Sequence, residues 1–288
     1  MPKKRASKKQ PINNLVVISD THCGCGLAIM PGPVKLDQAN VVHPSPLQKI
    51  IKGHWDEFWG QHVPDATHGE PYAVVHNGDC IDGVHHNSTT QITHNLATQA
   101  QMAIDLMRPI VDGCDGRYYH IRGTEAHVGK SAEKEEEVAK ALGAIPNEDG
   151  LFARYDLWTM VGTGLVHLLH HIGTTGSQAY ESTAIHKELV ESFTEAGRWG
   201  RRPPDIIVRS HRHRAIETNI PTHNGKARAV VTACWQGKTP FVWKIPGGRI
   251  STPQFGGLVI RYARDSNVLF IRERIWSIAP SATEIIEL

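Results

Sequence analysis

The sequence predicts an α/β fold with mixed sheets, and three observations predict it. Residues 15–19 and 205–208 are short runs rich in β-branched side chains, the character of strands buried on both faces. In the first half such runs alternate with segments of helical spacing, which is the pattern of a mostly parallel sheet. Its crossover connections bring the carboxyl ends of the strands to one rim. Past Ala215 strand-like runs recur without helices between them, predicting a second, partly antiparallel sheet packed on the first.

The elements come in this order. Residues 15–19 form the first strand and run directly into Asp20-Thr21-His22. Residues 27–71 carry several prolines and one helix-like piece at 47–59, and read as an excursion over the rim. Residues 72–77 are the next strand, entering Gly78-Asp79. Leu96, Ala100, Ala103, Ile104 and Met107 give helical spacing within 91–111. A third strand at 117–121 enters Arg122-Gly123-Thr124-Glu125, and a helix at 131–142 comes next, with Ser131 as its N-cap and residues 134–137 as its solvated face. Residues 155–161 and 165–169 form a strand pair turning at Gly162-Thr163-Gly164 and ending at His170. A helix at 177–197 precedes the strand at 205–208, which runs into Ser210-His211-Arg212-His213; strands at 227–234, 258–262 and 268–276 complete the chain. Without repeat or linker, residues 14–288 are expected to be one domain, after a disordered basic tail at 1–13.

Composition narrows the class. The chain has 288 residues, enough for a sizeable buried core, and its net charge of +2 does not by itself argue for nucleic acid or a membrane surface. The five cysteines are scattered, and Cys23 and Cys25 lack the spacing of a redox pair or zinc knuckle. A reduced, cytoplasmic protein without structural disulfides is expected. There is no apolar window long enough to span a membrane, and Lys3-Lys4-Arg5 with Lys8-Lys9 precedes no apolar signal core. Trp55, Phe58 and Trp59 are expected in the core rather than as base-stacking residues, and the basic tail with Arg201-Arg202 tilts slightly toward nucleic acid.

Function lies in the 18 histidines, or rather in where some of them fall. Five clusters end apolar runs in order: Asp20-Thr21-His22, Gly78-Asp79-Cys80-Ile81-Asp82, Gly123-Thr124-Glu125-Ala126-His127, His170-His171 and His211-Arg212-His213. Carboxylate oxygen and imidazole nitrogen are the ligands of first-row divalent cations, and together the clusters exceed what one ion needs. A carboxylate such as Asp79 can bridge two cations; an ion pair about 3.5–4 Å apart clamps a phosphate and lowers the pKa of bound water.

This motif series resembles the calcineurin-like metallophosphoesterases, whose series is D-x-H, G-D-x-x-D, G-N-H-D/E, a histidine after a strand, and G-H-x-H. The resemblance spans residues 15–214. It implies a four-layer α/β/β/α sandwich with mixed sheets and a dinuclear centre at the strand ends. It implies Asp20, His22 and His213 on the first metal, Asp79 bridging, His170 and His211 on the second, and Asp82 supporting the site from behind. Two divalent ions are implied, Mn²⁺ foremost, with Fe, Zn, Ni and Mg also suited. The activity implied is phosphoester hydrolysis by attack of metal-held hydroxide, as a phosphodiesterase or nuclease. Alternatives are a phosphomonoesterase acting on a nucleotide, protein or small molecule, and a non-catalytic metal-binding scaffold. The partner expected is a phosphoester substrate, nucleic acid among the options, and no membrane.

The third motif departs from the series. Glu125, or Thr124 in its place, is expected to replace the usual Asn ligand, with His127 as general acid. A third carboxylate there favours oxygen-loving ions such as Mn²⁺. Ser210 replaces the Gly of the fifth motif without altering the ligand spacing. Of His170 and His171 the first is the expected ligand, and Arg122, Arg212, His85 and His171 are candidates to touch substrate.

Overall fold

The computed structural model describes residues 12–37, 40–85, 87–129, 131–173, 177–223, 225–245 and 247–278. The expected basic tail lies outside these apart from its last two residues, of which Ile12 packs on the core between the sheets. His86 also lies outside them.

Two main sheets are built from eleven of the strands. The first runs β13 (Val268–Trp276), β12 (Phe255–Ala263), β1 (Asn14–Ile18), β4 (Ala73–Asn77), β5 (Tyr118–Ile121), β6 (Ala153–Arg154). Strands β1, β4, β5 and β6 are parallel, and β12 joins β1 antiparallel with Val16 opposite Val259. The second runs β10 (Ile216–Thr222), β11 (Gly225–Val231), β9 (Ile206–Arg209), β8 (Gly164–Leu169), β7 (Asp156–Val161). Here β11, β9 and β8 are parallel. A small hairpin, β2 (Val34–Lys35) with β3 (Val41–Val42), stands apart.

Strand periodicity explains the layering. In β1 the side chains of Val16 and Ile18 enter one core while Leu15 and Val17 enter another. The first core takes residues of α1 (Pro46–Glu57), α3 (Leu96–Gly113) and α5 (Glu133–Leu142). The second is the seam between the sheets, where Val17, Val75 and Ile121 meet Val166, Leu168, Val208 and Val230. A third packs Ile207, Ala229 and Val231 against Ile185 and Leu189 of α6 (Thr183–Arg198). The expected order of layers, α/β/β/α with mixed sheets, is therefore present.

Three expectations are corrected. The last two strands do not join the second sheet: β12 is buried along its length and returns to β1, leaving β10 and β11 to complete the other sheet. The helical part of the segment at 27–71 does not lie over the rim. Its helix α1 starts at a capping box of Ser45 and Gln48 and runs through a π-helical turn, Phe58–His62, into α2 (Val63–Thr67), packing behind β12. Trp55 and Phe58 are core there, against Trp235. Ser131 does not cap α5; its hydroxyl donates to the Glu133 carboxylate, and Ala132 in a left-handed conformation holds the cap position.

Candidate metal centre

All the clusters fall beyond the carboxyl ends of β1, β4, β5, β8 and β9, so the parallel segments of both sheets deliver them to one rim. The backbone is bent hard to turn the side chains inward. Asp20, His22, Asp79, His211 and His213 all have φ between +41° and +74°, and they are half of the described non-glycine residues with positive φ. Such conformations cost about 1–3 kcal/mol each and gather at functional sites.

Two constellations result. In the first, His22 Nε2 and His213 Nε2 lie 3.1 Å apart, and His213 Nε2 is 3.3 Å from Asp20 Oδ1. In the second, Asp79 Oδ2 is 3.1 Å from His170 Nε2 and 3.9 Å from His211 Nδ1. Asp79 also forms a close group with His22 and His127, so its carboxylate stands between the two. Asp20 Oδ1 and His170 Nε2 are fully buried without a hydrogen-bond partner. Orphaned oxygen and imidazole nitrogen converging in this way are the donor set of a divalent cation, and the residues fit two. His170 is the histidine that reaches Asp79; His171 is exposed and packs edge-on against His211.

The surrounding residues fix the ligands. His170 Nδ1 is 2.6 Å from the Asn77 carbonyl, which sets the ring and aims Nε2 at Asp79. Asp82 is buried, accepts from Gln91 and Gln236, and lies 3.5 Å from His22 Nδ1. Gly123 packs so closely on Asp79 that a Cβ would collide with the carboxylate, and Gly78, at φ +89°, meets the His170 ring in the same way. Burial alone would raise the Asp79 carboxyl, but the charges of His170 and His127 and the close pairing with His170 hold it well below its ordinary range. Burial would lower His22, yet its pairing with the carboxylates of Asp20 and Asp82 lifts it to about 10. His170 rises to about 9 for the same reason, through Asp79.

The third motif is rearranged. Thr124 ends the strand and opens a one-turn helix, α4 (Glu125–Val128), which turns Glu125 out to solvent and away from every close ligand group among the described residues. Thr124 instead holds Asp79, donating its N–H to Oδ1 at 2.7 Å. His127 is the member of this motif that reaches the centre. Its Nδ1 is 2.7 Å from the Asp82 carbonyl, so Nε2 is left with a lone pair. Burial, helped by the charges of His22 and His85, lowers its pKa to about 4. A ring in that state offers Nε2 as a lone pair at neutral pH.

The candidate substrate contacts divide. His85 packs edge-on against His127 and lies 3.6 Å from Asp82. Arg122 is turned to the Ala153 carbonyl and the Tyr155 ring. Arg212 donates to the carbonyls of Glu181 and Gly173, tying loops together. Arg202 pairs with Asp205 ahead of β9, at the end of that strand away from the centre.

Sequence reasoning missed several supports. Glu135 of α5 is fully buried, and its two oxygens accept the N–H groups of Cys80 (3.0 Å) and Gly123 (2.6 Å), pinning the second and third motifs together. Ser210 is not a neutral replacement: it joins Asn77, Thr232 and Ser19 in a buried chain of hydroxyl and amide groups across the two sheets.

No family model matches the chain, and no curated protein matches it in sequence. Among solved structures it is similar to an archaeal phosphodiesterase (12% identity, covering 91% of this chain and 99% of that one, TM-score 0.40). It is also similar to the NAD nucleotidase of Haemophilus influenzae (10%, 92% and 49%, TM-score 0.41) and to a 5′-nucleotidase precursor from Thermus thermophilus (14%, 92% and 54%, TM-score 0.40). Likeness at this level says nothing about activity. The chain's own two-sheet sandwich, with its ligand clusters at the strand ends in the order of the motif series, has the layers that the resemblance to the calcineurin-like metallophosphoesterases implies.

Proposed function

We propose that the chain is a dinuclear metal-dependent phosphoesterase. The observation that carries this reading is the position of Asp79 beside two ligand groups, each with a buried atom that lacks a hydrogen-bond partner, Asp20 Oδ1 in one and His170 Nε2 in the other. Asp20, His22 and His213 would hold one ion, His170 and His211 the other, with Asp79 shared and His127 as the ligand of the third motif. When bound, such a pair supplies charge to hold phosphate oxygens and a nucleophile at neutral pH.

The chain's own residues do the rest. Asn77 and Asp82 fix the rings of His170 and His22, so the ligand atoms are in place before substrate arrives. Thr124 and Glu135 hold the Asp79 loop against the third motif. His127 presents Nε2 as a lone pair toward Asp79 and His22 rather than as a proton donor. His171 and His211 are the more exposed histidines of the second group and would meet a phosphoester entering from solvent.

The test is hydrolysis of a chromogenic phosphodiester and a chromogenic phosphomonoester by Mn²⁺-loaded protein, with Asp79→Asn alongside. Turnover of either ester that Asp79→Asn abolishes is the expected result. No turnover of either, with less than one ion bound per chain, would make the protein a scaffold of the same fold.

A further inference from the structure

The segment at 237–253 leaves and re-enters the fold at the metal centre. At its start Gln236 donates to Asp82, the carboxylate behind His22. At its end the Gln254 N–H donates to the carbonyl of His213. The segment carries Lys238, Lys244 and Arg249 and no acidic residue.

Its described residues are braced. Lys238 Nζ sits 3.5 Å over the Trp243 ring and also donates to the Arg249 carbonyl. Gly237 donates to the Leu27 carbonyl, Ser251 bonds back to Gly248, and Arg214 reaches the Thr252 carbonyl. One ring face of Trp243 is thus fixed against a cation while the residue stays 57% exposed, and Ile250 is 86% exposed. Among the described residues, neither Lys244 nor Arg249 meets a carboxylate, and both are exposed.

We infer that this segment is a platform for single-stranded nucleic acid, which delivers a phosphodiester of that strand to the metal centre. The inference rests on the phosphoesterase reading and names its substrate class. A rigid, exposed indole stacks any base, and cations beside it take the backbone phosphates. A duplex hides its base faces and loses the stacking contact. The charge pattern, three cations and no anion, suits a polyanion that offers several phosphates along one strand.

The test is fluorescence anisotropy of a labelled oligothymidylate of about fifteen nucleotides, with full-length protein and a chelator present. Trp243→Ala is expected to weaken binding about fivefold or more, Trp243→Phe to restore most of it, and Lys244→Glu with Arg249→Glu to weaken it and flatten its salt dependence. Unchanged metal content in each variant shows that the site is intact. Equal binding by wild type and Trp243→Ala would overturn the inference. So would Trp243-dependent binding to phosphatidylglycerol vesicles with none to the oligonucleotide, which would make the segment a membrane contact. Absence of turnover of both chromogenic esters by Mn²⁺-loaded wild type overturns the phosphoesterase reading instead, and the substrate role with it, whatever the anisotropy reads; turnover of the monoester alone overturns the substrate role.

Discussion

His170 stands between two oxygens of β4 and its loop: Nδ1 is 2.6 Å from the Asn77 carbonyl and Nε2 is 3.1 Å from Asp79 Oδ2. One residue of the first sheet thus orients a ring of the second, and the next-but-one residue is its partner. The centre therefore exists only while the two sheets keep their register. Asp79→Asn removes the charge that this arrangement presents. Metal content is expected to fall by at least one ion per chain and turnover to drop by two orders of magnitude or more, about 3 kcal/mol in the barrier. Elemental analysis with steady-state kinetics checks both.

The third motif gives opposite expectations for two neighbours. Glu125→Ala, at an exposed position, should leave two ions bound; His127→Ala should lose one or weaken its binding. Metal titration followed by isothermal calorimetry separates them. A lost ion in Glu125→Ala, with two retained in His127→Ala, would return the ligand role to the carboxylate.

Glu135 tests the rim without touching a ligand. In Glu135→Gln one of the two accepted N–H groups, on Cys80 or Gly123, faces an amide NH₂ instead of an oxygen. A buried group left unpaired costs about 1–3 kcal/mol. Urea unfolding should show that loss, and Mn²⁺ affinity should fall roughly tenfold to a hundredfold, as for other groups that orient ligands.

The acid–base state of the metal-free centre sets a pH dependence. His22 and His170 rise on folding, to about 10 and about 9, because Asp20, Asp82 and Asp79 outweigh burial. A raised histidine stabilises fully below its unfolded value of about 6.5 and loses that contribution as pH climbs through the folded value. Asp20 and Asp79 are held well below their ordinary range, so their contribution is present above about 3.9 and goes only in stronger acid. His127 at about 4, with His76 and His213 also lowered by burial, works the other way and loses stability as pH falls below about 6.5. Thermal melts with a chelator should therefore peak at about pH 6.5 and decline toward pH 9 to 10. Mn²⁺ loading should release protons and remove the alkaline decline. A flat profile above pH 6.5 without metal would contradict the assigned charges.

How much of this the sequence carried depends on distance along the chain. Asp20, His22, Asp79, His170, His211 and His213 sit directly after apolar runs, so strand ends and ligands were read together. Glu135 was hidden for the opposite reason. Among Glu133, Lys134, Glu136 and Glu137 it looks like one more solvated charge, and only tertiary packing shows its partners at Cys80 and Gly123. Glu125 was expected as a ligand from its place in the motif series; Thr124 opens α4 there, and Glu125 comes to an exposed position. The return of β12 to β1 was equally illegible, since an apolar strand such as Phe255–Ala263 suits either sheet.

The most direct measurement is an anomalous difference map from crystals soaked in Mn²⁺. Two peaks are expected, one among Asp20, His22 and His213 and one between His170 and His211, with Asp79 touching both. A single peak, or none at these residues, would contradict a dinuclear centre.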